Sequence, residues 1–401
     1  MRELLLRLLV ISVFVESLGI GPASVGRILA IVGLYASLLV VLSRSQTTLL
    51  PEPAIGVTVA GLGLWVFLSS IWASSFAGWA AAMGQMALAL CYFISYVVLL
   101  ESREQMRRLM VWYVYGAVAV AFVGLGQTGL TTRAVGLQGD PNMYALYELA
   151  AIPIAASLAS ISTGRHRRRW LLVVVLLVAA VLAAKSRGGL LATLGLLVFL
   201  LWTGEFGGRF AVHPRLTALV GSGTLFAVVL GAYLTIPRFH AEDVSANRGT
   251  GRVDIWHAAW AGWEEHPVLG LGAGNFIKQS DRLLSSTPGV QLDPYSVLFD
   301  GIKVHNAYLE PWVELGPIGL GLYVGVLVTV GTVLLRVYRN ESSGVLRALF
   351  PMLLAFATAT IFLSAINNKL LWMLAGLAAA YPYLPERKSS YFTHRSELEV
   401  T

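Results

Sequence analysis

The sequence predicts an all-α polytopic membrane protein with about 12 transmembrane helices and one long outer loop that contains short amphipathic helices. Two properties of the chain predict this class. Of the 401 residues, 56% are hydrophobic and only 13% are charged, whereas about 25% of residues are charged in soluble domains. The hydrophobic residues also occur in long stretches, with most of the charged residues between them.

The composition argues against several other classes. A mean hydropathy of +0.70 leaves too little polar surface for a soluble enzyme or a disordered chain. The net charge of +7 does not indicate a nucleic-acid-binding protein, because such proteins spread Lys and Arg over a folded soluble surface. Cys91 is the single cysteine, so the sequence predicts neither a disulfide framework nor a cysteine metal site.

A helix needs about 20 mainly apolar residues to cross the hydrocarbon core of a bilayer. The predicted spans are residues 4–20, 25–42, 54–72, 79–100, 109–127, 143–162, 170–184, 188–203, 215–236, 315–338, 345–365 and 369–384. The first is the least typical, because it carries Arg7 and Glu16. It does not resemble a cleaved signal peptide, since no small-residue cleavage site follows it and Arg27 opens the next stretch.

The distribution of Lys and Arg predicts the orientation of these helices, because cytoplasmic loops are enriched in both. With the N-terminus in the cytoplasm, 18 of the 29 Lys and Arg residues fall on the cytoplasmic side and 11 on the outer side. Six of those 11 lie in the one long outer loop, to which the rule applies poorly. Both termini are therefore predicted to be cytoplasmic.

These assignments divide the chain into four parts. Residues 1–236 hold helices 1–9, residues 237–314 form the outer loop, residues 315–384 hold helices 10–12, and residues 385–401 form a polar cytoplasmic tail. A loop as long as the second part rarely lacks structure of its own, and it often carries function. The functional motifs are therefore expected in and beside it.

One segment of the outer loop, residues 253–266, is predicted to be a helix. Val253, Trp256, Trp260 and Trp263 recur at the spacing that places them on one helical face. Such a face indicates either tryptophans that anchor the helix at the membrane interface or a platform on which sugars stack. The residues that follow are too rich in glycine to continue the helix, and they predict a loop with turns.

Two basic motifs lie on the outer side, where the topology does not explain them. An ionisable residue at membrane depth indicates a functional site. Lys185 and Arg187 lie in a tight link between two spans, where they either hold an anion or extend to the outer head groups. Arg252 follows Gly249-Thr250-Gly251 at a predicted helix N-terminus, which attracts anions. The alternative for Arg252 is an ion pair with Asp254.

Two further motifs contain candidate functional groups. His305 lies directly before the tenth predicted span and thus at the outer membrane boundary. A histidine suits proton exchange near neutral pH, although a lone histidine is more often structural. Before the sixth span, Asp140 and Asn142 either cap that helix or bind a sugar or a substrate phosphate, and Arg133 is equally ambiguous.

Several motifs of known chemistry are missing from the sequence. It has no Asp-x-Asp pair, no His and carboxylate cluster with metal-ligand spacing, and neither a Gly-x-Ser-x-Gly elbow nor a phosphate-binding loop. The Gly-rich run at 270–275 lacks the preceding strand of a dinucleotide-binding unit. We therefore expect no metal, no cofactor, and neither a nucleotide nor a nucleic acid as a partner.

Taken in order, the motifs resemble those of the O-antigen ligase family, within a superfamily that includes O-antigen polymerases and bacterial O-oligosaccharyltransferases. The resemblance covers about residues 130–320. Its motifs are Ser186-Arg187-Gly188-Gly189, Gly251-Arg252 with Ile255-Trp256, His266-Pro267-Val268-Leu269-Gly270-Leu271-Gly272, His305-Asn306-Ala307-Tyr308-Leu309-Glu310 and Glu314-Leu315-Gly316. Each motif is weak alone, and together in this order they are fairly specific.

The resemblance implies a GT-C-like glycosyltransferase in the bacterial inner membrane with its active site facing the periplasm. It implies an inverting, metal-independent transfer of a polysaccharide from undecaprenyl diphosphate to a sugar hydroxyl of lipid A-core. Arg187 and Arg252 would bind the diphosphate and stabilise it as the leaving group, and His305 would accept or orient the proton of the acceptor hydroxyl. Lys303 would add to the anion site, and Asn306 would fix the tautomer of His305. The predicted substrate-binding residues are Lys185, Lys303, Asn306, Asp140, Asn142 and Arg133.

Other functions within and outside the superfamily fit the sequence less well. A polymerase would use a lipid-linked glycan as its acceptor too, and a protein O-oligosaccharyltransferase would use a Ser or Thr hydroxyl. The short chain after the last predicted span favours the ligase, because the protein-modifying relatives tend to carry an added C-terminal region. A transporter or flippase usually shows two similar halves and charges near the bilayer midplane, neither of which is visible in this sequence.

Overall fold

The structure is a computed structural model that describes residues 2–15, 19–20, 23–43, 51–128, 132–205, 223, 251–291, 301–341 and 344–386. Within these ranges the regular structure is helical, apart from a two-residue antiparallel strand pair, Gly19–Ile20 and Ala23–Ser24. The helices, numbered over the described residues, are α1 (Arg2–Ile11), α2 (Val25–Ser43), α3 (Pro53–Leu68), α4 (Phe76–Leu99), α5 (Arg103–Gly126), α6 (Pro141–Ile161), α7 (Gly164–Ala183), α8 (Arg187–Trp202), α9 (Arg252–Glu265), α10 (Phe276–Ser286), α11 (Leu309–Asn340), α12 (Leu349–Ala359) and α13 (Lys369–Ala380).

An all-helical, multi-pass membrane fold is confirmed. In the described part of the chain, seven helical segments are long and apolar enough to cross a bilayer. They are Val25–Ser43, Pro53–Ile71, Phe76–Leu99, Arg103–Gly126, Pro141–Ile161, Leu309–Asn340 and Val345–Phe362.

The count of twelve spans stays a prediction. Helices α1, α8 and α13 coincide with predicted spans but have only 10, 16 and 12 residues. Helix α7 has 20 residues, and its first turns carry four arginines. The predicted span 215–236 lies outside the described residues except for Gly223, and the predicted span 315–338 lies within α11, which is non-helical at Gly316.

At each end of the bundle, residues that are predicted to lie on the same side of the membrane contact each other. At the end predicted to be cytoplasmic, Arg107 lies 3.5 Å from Glu341. At the opposite end, the Ser75 backbone N–H donates to Asn275 Oδ1 at 2.7 Å. In both contacts the charge distribution assigns the two residues to the same side. Which of the two ends faces the cytoplasm stays a prediction.

Helix α6 forms the centre of the bundle, where it packs against α5, α7, α8 and α12. Its sequence is rich in alanine, and it is buried over most of its length. Small residues allow such close approach of helices in a membrane. Asp140 caps its N-terminus, because Asp140 Oδ1 accepts the N–H groups of Asn142 and Met143, both at 2.8 Å. The capping interpretation of Asp140 is therefore supported by the structure.

Helix α13 starts inside the bundle, beside the middle of α4. A Cβ atom on Gly376 would lie 2.7 Å from Cβ of Tyr96, which sets the two helices side by side. The Lys369 ammonium reaches the Ser12 carbonyl at 3.4 Å, and the Tyr92 hydroxyl donates to the Gly26 carbonyl at 3.2 Å. A cavity of about 240 Å³ lies here, lined by residues at the starts of α2 and α13 and by the middle of α4.

Candidate active site

The Gly-rich segment after α9 docks on the start of α11. The Gly272 N–H donates to the Glu314 carbonyl at 2.8 Å. The Glu314 carboxylate in turn accepts the N–H of Gly274 at 2.7 Å and of Phe276 at 3.1 Å. The two motifs around residues 270 and 314 therefore form one structural unit, in which a half-buried carboxylate fixes the backbone of a loop.

A kink in α11 makes room for this loop. Gly316 has φ 69° and ψ −170°, which interrupts the helix, and Pro317 follows it. A Cβ atom on Gly316 would lie only 2.2 Å from the Val268 carbonyl oxygen. The position therefore requires glycine for its backbone conformation and for the close approach of the loop.

The link between α7 and α8 carries the first basic motif. Ser186 caps α8, because its Oγ accepts the Gly189 N–H at 3.2 Å. The same hydroxyl donates to Asn142 Oδ1 at 2.9 Å, and Arg133 donates to that oxygen at 3.2 Å. Lys185, which is half-buried, has a φ of 47°. Arg133 and Asn142 thus support the backbone that presents Arg187.

The ring of Phe362 joins the starts of α8 and α9. A Cβ atom on Gly188 would lie 2.6 Å from Cδ2 of Phe362. On another side, the Arg252 guanidinium carbon lies 5.8 Å from the centroid of the ring, within the range of a cation–π contact. Trp256 stacks on Phe362 with ring centroids 6.3 Å apart. The two arginine motifs, distant in sequence, therefore meet at one aromatic side chain.

The segment with His305 is tied down on both sides. The Trp256 indole N–H donates to the Val304 carbonyl at 3.1 Å, and the His305 N–H donates to Ser364 Oγ at 3.0 Å. His305 has a φ of 54°, a left-handed conformation that is uncommon for a residue other than glycine. Such a conformation persists only when the surroundings enforce it, and it clusters at functional sites.

The electrostatic surroundings of His305 favour its neutral form. Burial lowers the pKa of His305 below its usual 6.5, and the positive charges of Arg252 and Lys303 lower it further, against an opposing effect of Asp140. The imidazole is therefore neutral at pH 7 and able to accept a proton. Three of the predicted site residues, Arg252, Lys303 and Asp140, thus act on the predicted base.

Asn306 caps α11. Its Oδ1 accepts the N–H of Tyr308 at 2.9 Å and of Leu309 at 3.0 Å. Its proposed effect on the tautomer of His305 stays a prediction.

The tryptophans of α9 border its buried face. Trp256 and Trp263 donate their indole N–H groups to backbone carbonyls, whereas Trp260 is 48% exposed and stacks on Trp312 with ring centroids 6.4 Å apart. The buried face of α9 consists of Ile255, Ala258, Ala259 and Gly262, with Asp254 beside them. Trp260 donates its indole N–H to Glu264 Oε1 at 2.8 Å, and it is the most exposed of the three, so its side chain is the most available for lipid or sugar.

A cleft opens beside the His305 segment. Three adjoining cavities of about 240, 290 and 240 Å³ share the side chains of Gln85, Lys303 and Asn367, and we call their union the central cleft. Other polar residues that line it are Arg27, Gln138, Lys278, Glu310, Glu314, Ser364, Asn368 and Lys369. Apart from Lys303, none of these residues was predicted as a site residue. The available signal was a single polar residue in an apolar stretch, as at Gln85.

Comparison with known proteins indicates the same family as the motifs. The model of a family described as O-antigen ligase matches residues 172–324, a range that includes Arg187, Arg252 and His305. A protein of Rickettsia conorii, named as a candidate polysaccharide ligase, is 25% identical over 296 residues, which cover 71% of this chain and 68% of that protein. The match confirms the resemblance drawn from the motifs: residues 172–324 are similar to the O-antigen ligase family, in a chain whose described part has seven helices long and apolar enough to cross a membrane.

Proposed function

We propose that the protein is an O-antigen ligase. It transfers a polysaccharide from undecaprenyl diphosphate to a sugar hydroxyl of lipid A-core, with inversion at the anomeric carbon and without a metal. The observation that carries this proposal is that Phe362 contacts both Arg252 and the residue next to Arg187, while Trp256 of the same helix binds the backbone beside His305. The charge of Arg252 also lowers the pKa of His305, after the larger effect of burial. Such a site can accept a proton from the attacking hydroxyl at His305 and stabilise the departing diphosphate with Arg187 and Arg252.

The reaction consists of one displacement. His305 accepts the proton of the acceptor hydroxyl, and the oxygen attacks the anomeric carbon of the donor sugar. The bond between that carbon and the diphosphate oxygen breaks, and its electron pair leaves with undecaprenyl diphosphate. Arg187 and Arg252 stabilise the charge that develops on this leaving group, a role in which loss of one donor costs about 10²–10³-fold in rate. General-base assistance adds about 10²–10⁴-fold.

The remaining predicted residues support this site. Lys303 adds positive charge near His305, and Asp140 holds the start of α6 while its own charge opposes the effect of the cations on the imidazole. Asn142 and Arg133 brace the Ser186 turn, and Lys185 extends the anion site from that turn. We propose that this face is periplasmic and that the chain crosses the inner membrane about twelve times, with both termini in the cytoplasm.

Complementation of a ligase-null strain tests this function. The wild-type chain is expected to restore O-antigen ladders on lipid A-core in silver-stained lipopolysaccharide. Arg187→Ala, Arg252→Ala and His305→Ala are each expected to abolish the ladders at unchanged membrane levels. Arg282→Ala is the control, because Arg282 is a basic residue of the same loop that pairs with Glu265 at 2.7 Å. Longer glycans on undecaprenyl diphosphate instead of capped core would indicate a polymerase.

A further inference from the structure

The deep part of the central cleft is cationic and lies at membrane depth. Tyr92, which lines it, is the seventeenth residue of α4, so it lies about 24 Å along that helix from its start. The Lys369 ammonium lies at this level, because a Cβ atom on Gly26 would be 2.3 Å from Lys369 Nζ and Gly26 contacts Tyr92. An ionisable side chain this far along α4 from its outer end lies within the membrane, where such residues indicate a functional site.

The charged side chains of the deep part all have the same sign. Arg27, Lys303 and Lys369 line it together with Gln85 and Asn367. Among the described residues, no acidic side chain lines this part. Lys369 is also the first residue of α13, so the positive end of that helix faces the same space. The deep part therefore suits a phosphate group.

The upper part of the cleft suits a sugar. It is lined by Gln138, Glu310 and Ser364. Gln138 is only 7% exposed, and neither its Nε2 nor its Oε1 has a hydrogen-bond partner among the described residues. Buried amides are almost always paired in folded proteins, and a sugar hydroxyl can both donate to and accept from an amide. The Oε2 atom of Glu310 is likewise buried without a partner in the described chain.

The two parts share lining residues and extend to residues that contact or neighbour His305. Ser364, which lines the upper part, accepts the backbone N–H of His305 at 3.0 Å. Lys303, two residues before His305, lines all three cavities. Lys303 also interacts electrostatically with Glu310 and Glu314. Arg27 and Lys369 supply the other two positive charges of the deep part.

We propose that the central cleft binds a phosphorylated saccharide of a glycolipid, with its phosphate at Arg27 and Lys369 and its sugar hydroxyls at Gln138 and Asn367. This site is separate from the diphosphate site at Arg187 and Arg252. Assigning the glycolipid as the acceptor rests on the proposed function, whereas binding itself does not. A molecule held in this way presents a hydroxyl near His305, and the phosphate fixes which end of the saccharide enters first.

Binding measurements on the full chain in phosphatidylcholine nanodiscs test the site without requiring turnover. The probes are lipid A, which is a bisphosphorylated glucosamine disaccharide with acyl chains, and the same lipid after removal of its phosphates. Wild-type protein is expected to bind lipid A at least about ten-fold more tightly than the dephosphorylated lipid, since charge-assisted hydrogen bonds are the strong ones. Arg27→Gln and Lys369→Gln are expected to abolish this difference.

Two further variants separate the parts of the cleft. Gln138→Leu is expected to weaken binding of both lipids equally, because it removes a sugar contact and leaves the phosphate contacts. Arg282→Gln, which removes one positive charge outside the cleft, is expected to change neither Kd. Circular dichroism and elution volume establish that each variant is folded.

Three binding results would overturn the proposal. Equal binding of both lipids by the wild type would exclude a phosphate site, and loss of the difference in Arg252→Gln but not in Lys369→Gln would place the phosphate at the other site. Competition by phosphatidylglycerol as strong as by lipid A would show that an ordinary phospholipid headgroup occupies the cleft. If the protein binds lipid A with the expected phosphate preference but does not complement the ligase-null strain, the ligase function is refuted and the proposed binding site still stands.

Discussion

Trp256 donates its indole N–H to the carbonyl oxygen of Val304 at 3.1 Å, and this bond connects α9 to the segment that carries His305. Arg252 begins the same helix. The bond therefore sets the distance between a cation at the start of α9 and the imidazole whose pKa it lowers.

Trp256→Phe removes the indole N–H and keeps an aromatic ring against Phe362. We expect the ligation rate to fall about five-fold, since a hydrogen bond of this type is worth about 1 kcal/mol. Trp263→Phe is the matched control, because Trp263 donates to Pro267 at 3.1 Å, away from His305. The rate is measured with purified donor and acceptor in nanodiscs. Equal rates for the two variants would show that the Val304 contact does not position His305.

Asp140→Asn and Lys303→Gln are expected to move the pH profile in opposite directions. Asp140 raises the pKa of His305 and Lys303 lowers it. The reaction needs the neutral imidazole, so the rate falls as the pH drops through this pKa. The acid limb of kcat/KM therefore shifts to lower pH in Asp140→Asn and to higher pH in Lys303→Gln. Asparagine remains a good helix cap, so the start of α6 is preserved. Shifts in the same direction would contradict the role of His305 as the base.

Gly188→Ala places a methyl group against Phe362, where a Cβ atom would be 2.6 Å from Cδ2 of the ring. We expect a loss of about 1–3 kcal/mol in stability from overpacking, and more than a ten-fold loss of ligation because the start of α8 moves. Gly195→Ala, in the same helix with no atom within 4 Å of the added methyl, is expected to be neutral. Thermal unfolding in detergent and the ligation rate check both expectations. If Gly188→Ala left the ligation rate unchanged, the contact between Gly188 and Phe362 would not be needed to position Arg187.

Glu314→Gln and Glu310→Gln are expected to affect different properties. Glu314 accepts two backbone N–H groups with its two carboxylate oxygens, and glutamine supplies only one acceptor oxygen. The thermal stability should fall by about 1–3 kcal/mol, the cost of one unsatisfied buried group. Glu310 lines the cleft, so its variant should raise KM for the acceptor and leave the thermal midpoint unchanged. If instead Glu314→Gln raised KM and Glu310→Gln lowered the thermal midpoint, Glu314 would be the acceptor-binding residue and Glu310 the stabilising one.

The sequence was sufficient to predict the positions of most helices. Long apolar stretches and helix-capping residues such as Asp140 are local features, and described helices overlap eleven of the predicted spans, of which seven are long and apolar enough to cross a bilayer. The motif residues Arg252 and His305 were also visible, because a charge at the edge of an apolar stretch stands out. The proximity of Arg252 to the start of α8 was not visible, since it depends on the aromatic ring of Phe362, which lies within an apolar run.

The central cleft could not be predicted. Gln85, Gln138 and Asn367 are single polar residues in different segments, and nothing in the spacing of the chain indicates that they share a cavity. The inward position of Lys369 depends on the shortness of α13, which is 12 residues long, where the sequence predicted a span of 369–384. Both the shared cavity and the inward position of Lys369 result from tertiary packing, which local sequence patterns do not reveal.

The 3₁₀ turn Thr360–Phe362 and the two residues after it support all three proposed reactive groups. Phe362 contacts the starts of α8 and α9, the Thr360 carbonyl accepts the Ala307 N–H at 3.0 Å, and Ser364 accepts that of His305. Bilayers differ in thickness, and helices tilt to accommodate them. Because five consecutive residues act as a common template, such tilting would carry the three groups together and preserve their mutual spacing in membranes of different composition.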